Sequence, residues 1–230
     1  MARGRAAGDA VAAIGVKRLR YQLVILDFDG TLADSGDWFL SIADDLADRF
    51  RFRRVAPDEV EGLRGRTTRE VIKHLGIPRW KLPIIARHLH RRLAAETHKI
   101  ALFDGVSTLL ADLRAAGIRI ALVTSNAEHN ARTILGEDNA RHIEQWECGA
   151  SLFGKAPRFR RVIRRARLPH TAILSIGDET RDLTAARKVG VDGAAVLWGY
   201  ANRDILTALN PVTAFETPTE VLPFVLGHGA

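Results

Sequence analysis

The spacing of apolar residues along the chain changes period several times, and each change marks an element. Leu23-Val-Ile-Leu26 is an unbroken apolar run that stops at Asp27-Phe-Asp-Gly-Thr31. Four consecutive apolar residues before a glycine break read as a strand buried on both faces, as in a parallel sheet. From Asp37 to Phe50 the period lengthens, because Trp38, Ile42, Leu46 and Phe50 recur every four positions, which is helical spacing. Pro57 to Leu63 reads as a short helix closed near Gly65. Thr67 or Thr68 can cap a helix with Val71, Ile72 and Leu75 on one face. Leu82, Ile85, Leu89 and Leu93 mark a further helix beginning near Pro83. The stretch 35–100 is therefore expected to be helical, with no strand in it.

The texture changes at Phe103-Asp-Gly-Val106. A helix over Val106–Ala116 closes at Gly117, and Ile118 to Thr124 is a strand. A helix with Glu128 in its first turn follows, then a weak strand within Ile143 to Cys148. Helix Pro157–Arg167, strand Thr171–Ile176, helix Thr180–Val189 closed by Gly190, and strand Gly193–Trp198 continue the alternation. A last strand near Val212 to Phe215 and a helix from Pro218 complete it. Repeated β-α alternation is the signature of a parallel sheet with right-handed crossovers. The expected fold class is α/β: a Rossmann-like parallel-sheet core, interrupted after its first strand by an all-helical insertion. The core is assigned to 21–34 and 101–230, the insertion to 35–100, and 1–20 to a mobile N-terminal extension.

Composition narrows the picture without redirecting it. An apolar fraction of 47% and a charged fraction of 27% are those of an ordinary globular protein. No apolar run approaches the ~20 residues that span a bilayer, so no membrane partner is expected. A single cysteine, Cys148, excludes an internal disulfide framework and fits a cytoplasmic, reducing setting; it reads as a small buried apolar residue. The net charge of +7 raises nucleic acid as a partner. The densest arginine run, Arg158, Arg160, Arg161, Arg164, Arg165 and Arg167, is interleaved with the apolar stripe Phe159, Val162, Ile163 and Ala166. It reads as the solvated face of a helix, so nucleic acid is not an expected partner.

Chemistry gathers at the strand ends, where open α/β sheets place their ligands. A buried strand has no reason to end in two carboxylates, because an unpaired buried charge is expensive. Alternation puts Asp27 and Asp29 on one side and Phe28 on the other, and two like charges held that close call for a divalent cation. The next strand ends in Thr124-Ser125-Asn126, a hydroxyl followed by main-chain N–H groups at a helix start, which is a phosphate cradle. Lys155 stands at the start of the following helix. The strand after it ends in Gly177-Asp178-Glu179, with Asp182 one helical turn on. Singly, these are a helix cap, a surface lysine and a pair of acids complementing a helix dipole. Together, at four successive strand ends, they are the donor, cation and acids that phosphoryl transfer needs.

These residues resemble the motifs of the haloacid dehalogenase-like superfamily, in its phosphatase branch with a helical cap, and are similar to those of phosphoglycolate phosphatases. Asp27-Phe-Asp-Gly-Thr31 matches the first motif, Thr124 the hydroxyl of the second, Lys155 the lysine of the third and Gly177-Asp-Glu-Thr-Arg-Asp182 the acidic fourth. The resemblance spans roughly 21–35 and 100–200. It implies that Asp27 is the nucleophile, giving an aspartyl-phosphate, and that Asp29 is the general acid and base. It implies Mg²⁺ as cofactor, held by an Asp27 carboxylate oxygen, the Asp29 main-chain carbonyl, Asp178 and waters, with Asp182 orienting that shell. Thr124, the amides around Ser125 and Asn126, and Lys155 would balance the phosphoryl oxygens, with Lys155 also paired to Asp27. The implied activity is Mg²⁺-dependent hydrolysis of a small phosphorylated metabolite. The turn Arg64-Gly-Arg-Thr-Thr68 resembles the family's cap specificity loop, so Arg64 or Arg66 is expected to meet an anionic group of the substrate. Asp29 argues against dehalogenation, since the dehalogenases of the superfamily lack that second aspartate. A phosphomutase of the β-phosphoglucomutase type and a binding protein that kept the fold without the chemistry are the alternatives.

Overall fold

A computed structural model describes residues 19–149 and 154–227. Nearly all of the expected N-terminal extension, 1–20, lies outside the described residues. Strand β1, Leu23–Leu26, is buried along its whole length. After it come β2 (Ala33–Asp34), α1 (Gly36–Phe50), α2 (Val60–Arg64), α3 (Thr68–His74), α4 (Leu82–Glu96) and β3 (Ala101–Leu102). The alternating part then runs α5 (Val106–Ala115), β4 (Arg119–Val123), α6 (Glu128–Ala140), β5 (Gln145–Glu147), α7 (Ala156–Ala166) and β6 (Ile173–Gly177). It closes with α8 (Thr180–Val189), β7 (Asp192–Val196), α9 (Arg203–Thr207), β8 (Ala214–Phe215) and α10 (Val221–Leu226).

Six strands form one sheet in the order β5-β4-β1-β6-β7-β8, every pairing parallel. β1 is central because its side chains satisfy both layers. Val24 and Leu26 join a core with Leu110, Leu122 and Val221, while Leu23 and Ile25 join a second core with Phe159, Val162 and Ala185. The chain steps outward from β1 through β4 to β5, then returns to β6 on the other flank of β1. That reversal is the switch point of an open sheet, and it opens a crevice at the carboxyl ends of β4, β1 and β6.

Between 35 and 100 the described elements are all helical, as the spacing predicts. Trp38, Ile42 and Leu46 are buried, and Trp38 Nε1 donates to Glu96 Oε2 at 2.9 Å, tying α1 to α4. The cap of α3 is Thr67, which exchanges hydrogen bonds with Glu70 in both directions. The two ends of the insertion are clamped together where β2 pairs antiparallel with β3.

The arginine run departs from expectation. Arg158, Arg161 and Arg165, all on α7, converge on Glu147 at 3.0, 2.9 and 2.8 Å. Glu147 is buried at the end of β5, so this row is the countercharge of an interior carboxylate, not merely a solvated face. Cys148 follows it, half-buried, with its thiol pushed up to about 12 mainly by burial.

Candidate active site

The site begins where β1 ends. Phe28 O accepts from the N–H groups of Thr31, Leu32 and Ala33, so the chain turns immediately after the Asp27-Phe28-Asp29 step. Gly30 makes that turn at φ +78, and a Cβ there would lie 2.2 Å from Asp178 Oδ2. Glycine is needed both for the backbone conformation and for the approach of the acidic loop after β6.

Asp27 and Asp29 leave this turn with different neighbours. Asp27 Oδ1 accepts the Phe28 N–H at 2.7 Å and lies 2.6 Å from Lys155 Nζ. Asp27 Oδ2 is buried and has no hydrogen-bond partner among the described residues, and Arg181 Nη2 stands 4.0 Å from it. Asp29 is held by neutral donors: Ser35 Oγ donates to Oδ1 at 2.9 Å, and Asn126 Nδ2 reaches its oxygens at 3.4 and 3.3 Å. Burial, and then the charge of Asp27, push the Asp29 carboxyl up to about 6 against the pull of Ser35, Arg181 and Asn126.

Lys155 precedes α7 and is completely buried, with Nζ 2.6 Å from both Asp27 Oδ1 and Asp182 Oδ1. Burial works against the ammonium, but Asp182 and Asp27 outweigh it and its pKa is raised. Asp178, at the end of β6, accepts Thr31 Oγ1 and the Tyr200 N–H, both at 2.9 Å. Burial, followed by Asp27, Glu179 and Asp182, raises its pKa well above the usual range. Burial also lifts Asp182 to about 6 against the attraction of Lys155.

Asp27, Asp178 and Asp182 each offer an oxygen within 4.8 Å of the others. Asp29 and Glu179 lie in the same cluster, against Lys155 and Arg181 as the cations that act on it. Excess buried carboxylate, with Asp27 Oδ2 lacking a hydrogen-bond partner among the described residues, fits a hard divalent cation. A cavity of about 230 Å³ lies between Thr67 and Thr68 of the insertion and Lys155 and Arg181 of the core. Its lining includes none of Asp27, Asp29, Thr124 or Asp178, so it lies beside the carboxylate cluster on the α7 and α8 side.

At the end of β4, Thr124 Oγ1 accepts the Asn126 N–H at 2.9 Å, which leaves its own hydrogen to donate. Ser125 is half-buried beside it. Asn126 does more than present an amide, because its side chain is a donor to Asp29. The two arginines of the insertion turn are placed differently from that group. Arg64 donates to Tyr200 O at 2.9 Å and Gly199 O at 3.1 Å, and Arg66 pairs with His74 Nδ1 at 3.1 Å on the surface.

The structure adds residues that sequence reasoning passed over. In sequence, Ser35 shows only as the end of a turn and helix-entry signal, Ala33-Asp34-Ser35. Arg181 sat unremarked inside the acidic motif. Tyr200 belongs to a fifth strand end, Trp198-Gly-Tyr200 after β7, and following the strand-end rule one strand further would have found it.

A model of the haloacid dehalogenase-like hydrolases matches residues 24–196. The chain belongs to this family and is an enzyme of its hydrolase class. It is 31% identical over 205 residues to a phosphoglycolate phosphatase of Synechococcus elongatus, covering 89% of this chain and 97% of that one. It is also 30% identical over 211 residues to the tyrosine-protein kinase PtkA of Mycobacterium tuberculosis, covering 87% and 71%. Among solved structures, a haloacid dehalogenase-like family hydrolase from Streptococcus pneumoniae superposes with a TM-score of 0.74 at 18% identity, covering 89% and 98%. CbbY from Rhodobacter sphaeroides, in complex with phosphate, gives 0.69 at 19%, covering 88% and 96%. The two superpositions establish the shared fold.

Proposed function

We propose that the protein is a Mg²⁺-dependent phosphatase of a small phosphomonoester metabolite, of the phosphoglycolate kind, working through an aspartyl-phosphate. The observation that carries this reading is the unequal treatment of two carboxylates two residues apart. Asp27 faces an ammonium and keeps one oxygen without a hydrogen-bond partner among the described residues, whereas Asp29 is gripped by a hydroxyl and an amide. The phosphatase relative in Synechococcus supports the substrate class.

In the first step the Asp27 carboxylate attacks phosphorus, the ester P–O bond breaks, and Asp29 gives its proton to the departing oxygen. In the second, Asp29 takes a proton from water, the resulting hydroxide attacks phosphorus, and the bond to Asp27 breaks to free phosphate. Lys155, the Thr124 hydroxyl, the Ser125 amide and Arg181 counter the charge on the phosphoryl oxygens. Asp27, Asp178, the Asp29 carbonyl and indirectly Asp182 would hold Mg²⁺, which would supply the remaining positive charge.

The test is release of inorganic phosphate from p-nitrophenyl phosphate and from a panel of phosphorylated metabolites, with Mg²⁺ and after chelation. Asp27→Asn should abolish it. Unchanged Mg²⁺-dependent release by Asp27→Asn refutes the mechanism, and isomerised sugar phosphate without free phosphate would identify a phosphomutase.

A further inference from the structure

The loop after β7 takes part in none of the four motifs, yet it touches both carboxylate centres. Trp198 Nε1 donates to Thr31 O at 3.1 Å, and the Tyr200 N–H donates to Asp178 Oδ2 at 2.9 Å. The Tyr200 hydroxyl is hydrogen-bonded to Ser35 Oγ. Serine has one hydrogen, and Ser35 gives it to Asp29 Oδ1; Tyr200 is therefore the donor to Ser35. The resulting chain, Tyr200 to Ser35 to Asp29, is covered by the insertion. The ring of Phe39, on α1, meets the Tyr200 ring edge to face at 6.3 Å. Arg64 donates to the carbonyls of Tyr200 and Gly199, while its own carbonyl accepts the Asn202 N–H at 3.0 Å.

We propose that Tyr200 is a positioning residue for Asp29, and that Arg64 makes this positioning depend on the seating of the helical insertion against the core. The inference rests on the phosphatase reading above. Asp29 Oδ1 takes the short bond from Ser35, whereas Oδ2 accepts only the long Asn126 contact at 3.3 Å, so Oδ2 is the oxygen better placed to pass a proton to and from the reacting groups. Without the Tyr200 hydroxyl, Ser35 loses the bond that fixes its rotamer, and Asp29 loses its orientation. Arg64 then serves as a clamp on main-chain carbonyls, with its fork matched to two of them, in place of reading an anionic substrate group.

A positioning role for the acid has a signature that general loosening lacks. Alkyl phosphomonoesters need the leaving oxygen protonated, whereas p-nitrophenolate departs as a stable anion. The experiment measures kcat/KM with Mg²⁺ for β-glycerophosphate and p-nitrophenyl phosphate in Tyr200→Phe, Ser35→Ala, the double variant and Arg64→Ala, each with a thermal melt. The expected result for Tyr200→Phe is a loss of roughly tenfold to a hundredfold on the alkyl ester. The expected loss on the aryl ester is under about threefold. The double variant should be no worse than Ser35→Ala alone, because both break one chain. Arg64→Ala should show the same bias, and Arg64→Lys should not restore it. Arg64 is half-exposed, so its variants report even if a buried substitution fails to fold. Equal losses on the two esters overturn the proposal while leaving the phosphatase reading intact. An unaltered protein that releases phosphate from neither ester overturns both.

Discussion

Gly199→Ala isolates the effect of space on the acidic cluster. The φ of Gly199 lies outside the left-handed region, so alanine meets no backbone penalty there. It meets a wall instead. A Cβ would stand 2.3 Å from Asp178 Cβ and 2.4 Å from Gly30 O. Ordinary contact is about 3.4 Å or more, so the loop carrying Asp178 and the turn carrying Gly30 must separate by about 1 Å. Overpacking of this kind costs about 1–3 kcal/mol, which lowers the melting temperature of a chain this size by roughly 2–12 °C. A displacement of about 1 Å at a reacting centre costs about a hundredfold in rate. Since Asp178 is a proposed metal ligand, the Mg²⁺ concentration for half-maximal activity should rise with the fall in kcat/KM. Gly62→Ala is the control: nothing lies within 4 Å of a Cβ there, and in α2 alanine is expected to be neutral or stabilising by under ~1 kcal/mol. If Gly199→Ala kept wild-type kcat/KM, Mg²⁺ dependence and melting temperature, the close approach of β7's loop to Asp178 would be wrong as described.

Two further outcomes follow from the charges. Arg181→Gln should raise the inhibition constant of inorganic phosphate about tenfold or more and lower kcat/KM about a hundredfold; an unchanged phosphate constant would make Arg181 only a counter-ion for Glu179. Burial acts to raise the pKa of Glu147, but Arg158, Arg161 and Arg165 outweigh it and the pKa is lowered. A carboxyl depressed in the folded state contributes stability above its unfolded pKa and loses it as pH falls through the folded value. Glu147→Gln should therefore destabilise by about 1–3 kcal/mol at neutral pH. Its deficit against the wild type should shrink in acid below the ordinary glutamate range, as thermal melts at several pH values would show. A deficit independent of pH would refute the charge argument.

The sheet and the residues at its strand ends were legible because each strand and its end are written in consecutive residues. The apolar run Leu23–Leu26 ending in Asp27 and Asp29 needs no distant partner to be read. Lys155 and Asp178 were found by asking one question at every strand end. What escaped depends on contacts between residues far apart in the chain. Ser35 looks like any turn serine until Tyr200, 165 residues away, is placed against it. The α7 arginines showed their spacing but not their target, since Glu147 sits in a strand of only three residues whose pattern is too short to mark it as interior. Arg64 was recognised as a residue of the insertion turn, but only the fold reveals that main-chain carbonyls of the β7 loop take its donors.

The topology explains how one turn can carry the proposed nucleophile and the proposed acid in surroundings of different character. β1 lies between β4 and β6, so its carboxyl end receives side chains from both flanks. From the β6 side and α7 come charged groups, Asp178, Asp182, Arg181 and Lys155, and these face Asp27. From the β4 side and the root of the insertion come the neutral donors Asn126 and Ser35, and these hold Asp29. A carboxylate beside an ammonium suits attack on phosphorus, whereas one in a dry, neutral setting is raised toward the pH at which it can trade protons. Exchanging those surroundings, and not merely the two aspartates, would be required to exchange the roles. The insertion reaches the neutral side through Ser35, Phe39 and Arg64 and the charged side through Thr68, whose hydroxyl donates to Glu179 at 2.8 Å, so its seating bears on both halves of the site.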